Sequence, residues 1–275
     1  MTDEIRIKLN SLEGKCTAPA PDSGRTCGQE EDQLELLGTC CQPQSGADQG
    51  VLLDTSFETK VEKPRLLLHS CCGPCSTACI ERLISTYKVT IFYYNPNIHG
   101  EDEYEKRKAT QIEFLNKLND SHIYEDTVEF VEGEYDTESF FKVTCGLEEE
   151  REGGARCAEC FRLRLERTAV KARVLGFDTF GTTLTVSPYK NYRVITEIGS
   201  DIAFKYGLKW LDMDFKKKDG YHRSIELSKM YGLYRQHYCG CIYSLRDAEA
   251  YRAAKLAREQ NQSGLEDIFK TSKED

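Results

Sequence analysis

Thiols dominate the chemistry open to this chain. Thirteen cysteines stand among its 275 residues, and six of them fall into three close groups: Cys71-Cys72, Cys157-x-x-Cys160 and Cys239-Gly240-Cys241. The first pair follows an apolar run and precedes a helical pattern, where backbone N–H groups and the helix dipole stabilise thiolates. The second follows the Gly153-Gly154 turn and opens another helix. Alone, a Cys-x-x-Cys pair suits a disulfide couple, half a zinc site or half an iron-sulfur site. Joined to Cys71 and Cys72 it makes four thiolates, and adjacent cysteines reach two metals of a cluster more easily than two corners of one zinc tetrahedron. The pattern favours a [4Fe-4S] cluster, with structural zinc or no metal as the alternatives. Cys239 and Cys241, one residue apart, would close a small strained ring on oxidation, and strain makes a disulfide easy to reduce. They form a candidate two-electron couple, the alternatives being further metal ligands or buried thiols. Cys75, nearer the loop, is a candidate contact for a second metal. Cys79 fits a small buried hydrophobe and Cys145 a core position.

Positioning such groups takes alternating strands and helices. Strands are predicted over 65–69, 88–95, 127–132, 178–186 and 209–214; helices over 77–86, 101–119, 137–151, 160–175, 192–206, 225–231 and 244–260, with 70–76 a loop. This β-α alternation predicts an α/β fold, a parallel sheet with helices on both faces, with active residues at the carboxyl ends of the strands. A catalytic domain over 63–260 would lie between a mostly disordered acidic extension, 1–62, and a polar tail, 261–275. Cys16, Cys27, Cys40 and Cys41 fall in that extension as incidental exposed thiols.

Composition narrows the classes. No apolar run approaches the eighteen residues of a membrane span, and Asp3 and Glu4 stand where a leader would be basic. A soluble protein of a reducing, cytoplasmic compartment is expected, without a membrane partner and with little role for a disulfide framework. The net charge of −9 is concentrated in residues 1–60, with 11 acids against 5 bases. The nearly neutral remainder argues against indiscriminate phosphate binding but allows a local RNA-binding stripe.

The segments LLLHSCCGPCS (66–76), YYNPNIH (93–99), YEKR (104–107), RCAEC (156–160), TTLTVSPYKN (182–191) and YRQHYCGCIYS (234–244) together resemble the cobalamin-independent QueH family of epoxyqueuosine reductases. The resemblance runs in order across roughly 64–248. It implies a variant of the PP-loop/HUP nucleotide-binding fold, with the cysteine loop in place of the phosphate loop and a helical C-terminal part. It also implies a [4Fe-4S] cluster on Cys71, Cys72, Cys157 and Cys160, and a redox-active Cys239/Cys241 pair. The reaction would remove the epoxide oxygen of epoxyqueuosine at the wobble position of tRNA, without cobalamin. An unidentified electron donor completes the scheme, which leaves room for an additional iron.

Such a reaction needs an acid at the epoxide oxygen. Tyr189, Tyr238, His237 and His69 stand beside the motifs and are the candidates. Lys216, Lys217, Lys218 and Arg223, with Tyr221 and His222 between them, could join phosphate contacts to base stacking. Arg162, Arg164, Arg167, Lys171 and Arg173 are further candidate phosphate contacts, while the 106–108 run suits a solvated face. Residues 187–191 are a candidate substrate loop. An ATP-dependent RNA-sulfurating enzyme fits less well, because the loop after the first strand lacks a glycine-rich serine motif. A zinc-binding RNA adaptor and a thiol-disulfide oxidoreductase are the remaining rivals.

Overall fold

Strand β1 (Arg65–His69) carries three consecutive leucines, each fully buried. Because side chains alternate across a strand, Leu66 and Leu68 enter one core with Ile80, Leu83 and Phe114, and Leu67 enters the other with Phe161, Leu165 and Ile198. A strand apolar on both faces has to be covered on both, as in the centre of a parallel sheet. The computed structural model describes residues 62–271, with side chains through 259, so the predicted extension lies outside the described residues except for Glu62.

After β1 come helix α1 (Gly73–Leu83), strand β2 (Lys88–Tyr93), helix α2 (Glu101–Asp120) and strand β3 (Glu129–Glu132). Helices α3 (Thr137–Thr144) and α4 (Ala155–Val174) lead to β4 (Thr179–Thr182) and a 3-10 turn (Thr183–Val186). Helix α5 (Tyr192–Tyr206), the short β5 (Lys209–Trp210), α6 (Gly220–Met230) and α7 (Ile242–Thr271) follow. The strands are all parallel, in the order β3-β2-β1-β4-β5. The chain leaves β1 toward one edge and returns to build the other from β4, so the winding reverses between β1 and β4. At that reversal the crossovers diverge and open a crevice at the carboxyl ends of the strands.

Three departures from the expected elements shape this crevice. Helix α1 begins at Gly73 rather than Thr77, because Pro74 at its start is preset for helical φ. Cys72 thereby becomes the helix cap, and Gly73 fits where a Cβ would lie 2.8 Å from the Thr110 carbonyl oxygen of α2. Helix α4 opens at Ala155, five residues earlier than its predicted start, which puts both Cys157 and Cys160 in its first two turns. Strand β4 stops at Thr182, whose Oγ1 accepts the Leu184 N–H at 3.1 Å and turns the chain into a 3-10 turn instead of continuing to Val186. Away from the crevice, α3 ends at Thr144 rather than Arg151, and α7 continues past Gln260. No helix among the described residues is long and apolar enough to cross a membrane.

Candidate active site

Two groups of thiols meet the crevice. The Sγ atoms of Cys71, Cys72 and Cys75, in the β1–α1 turn and the first turn of α1, lie within 4.8 Å of one another and could hold a metal ion. The other group is Cys157, Cys160, Cys239 and Cys241, which line a small cavity of about 20 Å³ together with Asn97 and Phe161. A larger cavity, about 380 Å³, is lined by Cys71, Cys75, Tyr221, Gln236, His237 and Tyr238 among others. Glu152, Tyr189, Lys190 and Cys239 belong to the walls of both, so the two cavities adjoin. All seven of these thiols, with Cys79, are free.

Charge is distributed unevenly among them. Hydrogen bonds from Cys72 and Cys75 hold the Cys71 thiol well below its ordinary pKa of 9.0, helped by the positive charges of Arg164 and Lys190. Cys72 rises to about 12 because it is the donor to Cys71, and Cys75 rises for the same reason. Within the trio, Cys71 is thus the thiol most easily ionised. Burial pushes Cys160 up to about 12 and Cys241 to about 11. At Lys190 burial acts to lower the pKa, but Cys239, Cys71 and Cys75 outweigh it and hold the ammonium form.

A buried arginine joins the two groups. Arg164 is 1% exposed; its Nε donates to His69 Nε2 at 3.2 Å, its Nη2 donates to Asn95 Oδ1 at 2.7 Å, and its Nη1 lies 4.0 Å from Cys160 Sγ. His69 Nε2 also lies 3.2 Å from the Tyr94 carbonyl oxygen, and its Nδ1 lies 2.8 Å from Thr182 Oγ1, so both ring nitrogens are engaged inside the protein. Burial, then Arg164, lowers the His69 pKa to about 3. His69 is therefore a neutral, completely buried spacer, which corrects its standing as an acid candidate. Arg164 is likewise no phosphate contact, because its guanidinium is consumed inside the protein.

The Cys239-Gly240-Cys241 loop is fixed through its backbone. Arg107 Nη1 donates to the Cys239 carbonyl at 3.0 Å, and His99 N–H donates to the Gly240 carbonyl at 2.8 Å. Gly240 has φ +124, and a Cβ there would lie 2.9 Å from Arg107 Nη1, so both conformation and space call for glycine. Arg107 is 1% exposed, pairs with Glu103 at 2.7 Å and lies over the Tyr238 ring at 5.1 Å. The solvated face expected over 106–108 is therefore interrupted by a buried cation that positions the thiol loop. Cys145 is only half-buried at the end of α3, outside the core expected for it.

Of the other acid candidates, Tyr238 is half-buried in the larger cavity with its pKa raised by burial and then by Glu103; Tyr189 is 75% exposed and borders both cavities; His237 is exposed at the larger one. Arg223 is held between Glu81 at 2.7 Å and Glu226 at 3.0 Å. Lys216 Nζ donates to the Lys190 carbonyl at 3.0 Å, tying its loop to the 187–191 loop, while Lys217 and Lys218 are exposed. Lys190, Gln236, Asn95, Arg107 and Arg164 are site residues that sequence reasoning did not single out for these roles. The spacing of Arg164, four residues after Cys160 and so on the same helix face, was the available signal.

Fold and site together define an α/β protein of the doubly wound type whose crevice is lined with free thiols, three of them able to hold a metal ion. The family model described as epoxyqueuosine reductase QueH matches residues 66–247. Epoxyqueuosine reductase QueH of Streptococcus pyogenes serotype M1 is 41% identical over 210 residues, spanning 72% of this chain and 82% of that protein. The Staphylococcus epidermidis protein of the same name is 43% identical over 192 residues, 69% and 80% of the two chains. That of Thermotoga maritima is 36% identical over 198 residues, 71% and 97%. The chain belongs to the epoxyqueuosine reductase QueH family and is an oxidoreductase.

Proposed function

We propose that this protein reduces the epoxide of epoxyqueuosine at the tRNA wobble position to the alkene of queuosine, using a [4Fe-4S] cluster and the Cys239/Cys241 pair. The observation that carries this reading, in a chain of this family, is the pair of adjoining cavities that share Cys239 and Lys190, one rich in thiols and one large enough for a modified base.

The donor set suits an iron-sulfur group. Cys71, Cys72, Cys157 and Cys160 would hold it, with Cys75 a contact for a second iron. Arg164 lies between Cys160 and the residues leading into Cys71, which supports the two halves facing one another. Arg107, Arg164 and Lys190 supply positive charge against an anionic cluster, and the Gly153 N–H already donates to Cys157 Sγ at 3.2 Å, the kind of bond that cluster thiolates accept. When bound, such a cluster supplies single electrons at low potential.

The chain's own residues account for the rest. Deoxygenating an epoxide to an alkene takes up two electrons and two protons and releases water. Oxidation of Cys239 and Cys241 to a disulfide gives up two electrons and two protons, so the couple balances one turnover; an external low-potential electron donor then restores the thiols. Tyr238 and Tyr189 are the proposed proton donors to the epoxide oxygen, with the Lys190 ammonium placed to stabilise developing negative charge. Tyr221, His237 and Tyr189 border the larger cavity and offer stacking surfaces for an unpaired base, and Lys217 and Lys218 offer phosphate contacts, with Lys216 and Arg223 shaping that region. The residues 70–76 would stand where PP-loop enzymes carry their phosphate loop.

The test is iron, acid-labile sulfide and zinc per chain on protein prepared without oxygen, followed by turnover of tRNA carrying epoxyqueuosine. About four irons and four sulfides with a brown chromophore, and conversion to queuosine, are expected. Colourless protein with stoichiometric zinc and no turnover would replace the reading with that of an RNA adaptor.

A further inference from the structure

Gln236 precedes the Cys239-Gly240-Cys241 loop by three residues and stands half-buried in the wall of the larger cavity. Its Nε2 lies 2.9 Å from the Sγ of Cys72, which is 1% exposed, and its Oε1 is buried with no hydrogen-bond partner among the described residues. A metal-bound cysteine sulfur can only accept, so the carboxamide must present its N–H end to Cys72 in the loaded enzyme. That choice leaves the oxygen without a donor. A buried carbonyl left so is destabilising, and a ligand's donor would remove that penalty.

We propose that Gln236 is a positioning residue that couples substrate to cluster through one carboxamide. Its N–H group holds and tunes the Cys72 sulfur, and its oxygen accepts a hydrogen bond from a hydroxyl or ammonium group of the modified nucleoside in the cavity. A hydrogen bond to a cysteinyl sulfur draws electron density from the metal and makes it easier to reduce. Because oxygen and nitrogen share one conjugated amide, a donor at the oxygen polarises the N–H and strengthens its bond to sulfur. Substrate binding then raises the midpoint potential of the cluster, so that electrons arrive when there is an epoxide to receive them.

This inference rests on the proposed cluster and substrate. Wild type, Gln236→Leu and Gln236→Glu would be prepared without oxygen, and iron content, midpoint potential and electron paramagnetic resonance recorded with and without tRNA carrying epoxyqueuosine. Wild type should show a positive shift of midpoint on binding. Gln236→Leu should keep its iron, show a more negative midpoint, lose the response to tRNA, and bind that tRNA about tenfold more weakly, the loss of one hydrogen bond. Gln236→Glu keeps an acceptor but loses the donor, so its midpoint falls while its tRNA affinity exceeds that of the leucine variant. Should Gln236→Leu fail to take up iron, the glutamate variant alone reads the midpoint. Loss of iron in both would make Gln236 merely structural and overturn the proposal. So would a midpoint and a tRNA response in Gln236→Leu equal to wild type, which would leave the proposed function standing. Wild-type protein without a cluster would instead sink the proposed function, and this inference with it.

Discussion

The Cys71–Cys72–Cys75 trio and the Cys239–Cys241 pair contain the same side chain in two different settings. The trio spans the β1–α1 turn and the first turn of α1, where Gly73 lets the helix press against α2, and hydrogen bonds from its neighbours, with Arg164 and Lys190, lower the Cys71 pKa. The pair sits on a loop whose carbonyls accept from Arg107 and a backbone N–H; Ser244 N–H donates to Cys241 Sγ at 3.4 Å, and burial pushes the Cys241 thiol up to about 11. Three sulfurs within 4.8 Å of one another, one of them eased toward thiolate, suit metal ligation. Two thiols one residue apart on a loop with Gly240 at φ +124 suit a couple that must open and close a bond.

The largest effect that would sharpen this contrast is expected at the trio. Cys71→Ser or Cys72→Ser should abolish most iron binding and all turnover, read by metal analysis and by queuosine formation; full iron content in either would break the assignment of the trio as ligands.

A smaller effect is expected where the two groups join. Arg164→Met strips His69 Nε2 and Asn95 Oδ1 of their donor inside the protein, so the free energy of unfolding should fall by about 3 kcal/mol, seen as a lower denaturation midpoint. A variant as stable as wild type would mean that the two groups are not held together through this cation.

The smallest effect should arise at the start of α3, at a residue that lines neither cavity. Asp136 caps α3 by accepting the Ser139 N–H at 3.0 Å, and its bonds to Ser139 hold the carboxyl below its ordinary 3.8. Asp136→Ala should cost about 1 kcal/mol at neutral pH with iron and turnover unchanged. A carboxyl with a depressed folded pKa contributes stability that is present above its unfolded pKa and lost as pH falls through the folded one. The difference between wild type and Asp136→Ala should therefore shrink in acid below about pH 4 and be constant above it. A difference that grew in acid would contradict the assigned shift.

How much of this was legible in the sequence follows from the kind of signal each feature leaves. Strand β1 showed itself by three consecutive leucines, and α5 keeps its expected span, 192–206, closed by Gly207 with φ +62. The thiol groups were visible because close cysteine spacing is rare without a chemical reason. Arg107 and Arg164 were not, since a charge in a helix rich in charges looks alike whether it faces solvent or a buried anion; only tertiary packing decides. The β4 strand was overextended because threonines favour strands, whereas here the Thr182 hydroxyl competes for backbone N–H groups and ends the strand. The switch-point crevice itself depends on strand order, which no local pattern encodes.

The most direct test of the division between ligand and redox thiols is the iron and sulfide content of Cys239→Ser and Cys241→Ser protein, measured alongside a single turnover of epoxyqueuosine tRNA. The division predicts a full iron complement in both variants with queuosine formation lost. Loss of iron in either, in step with the loss seen on replacing Cys71, would contradict it and make all of these cysteines parts of one metal site.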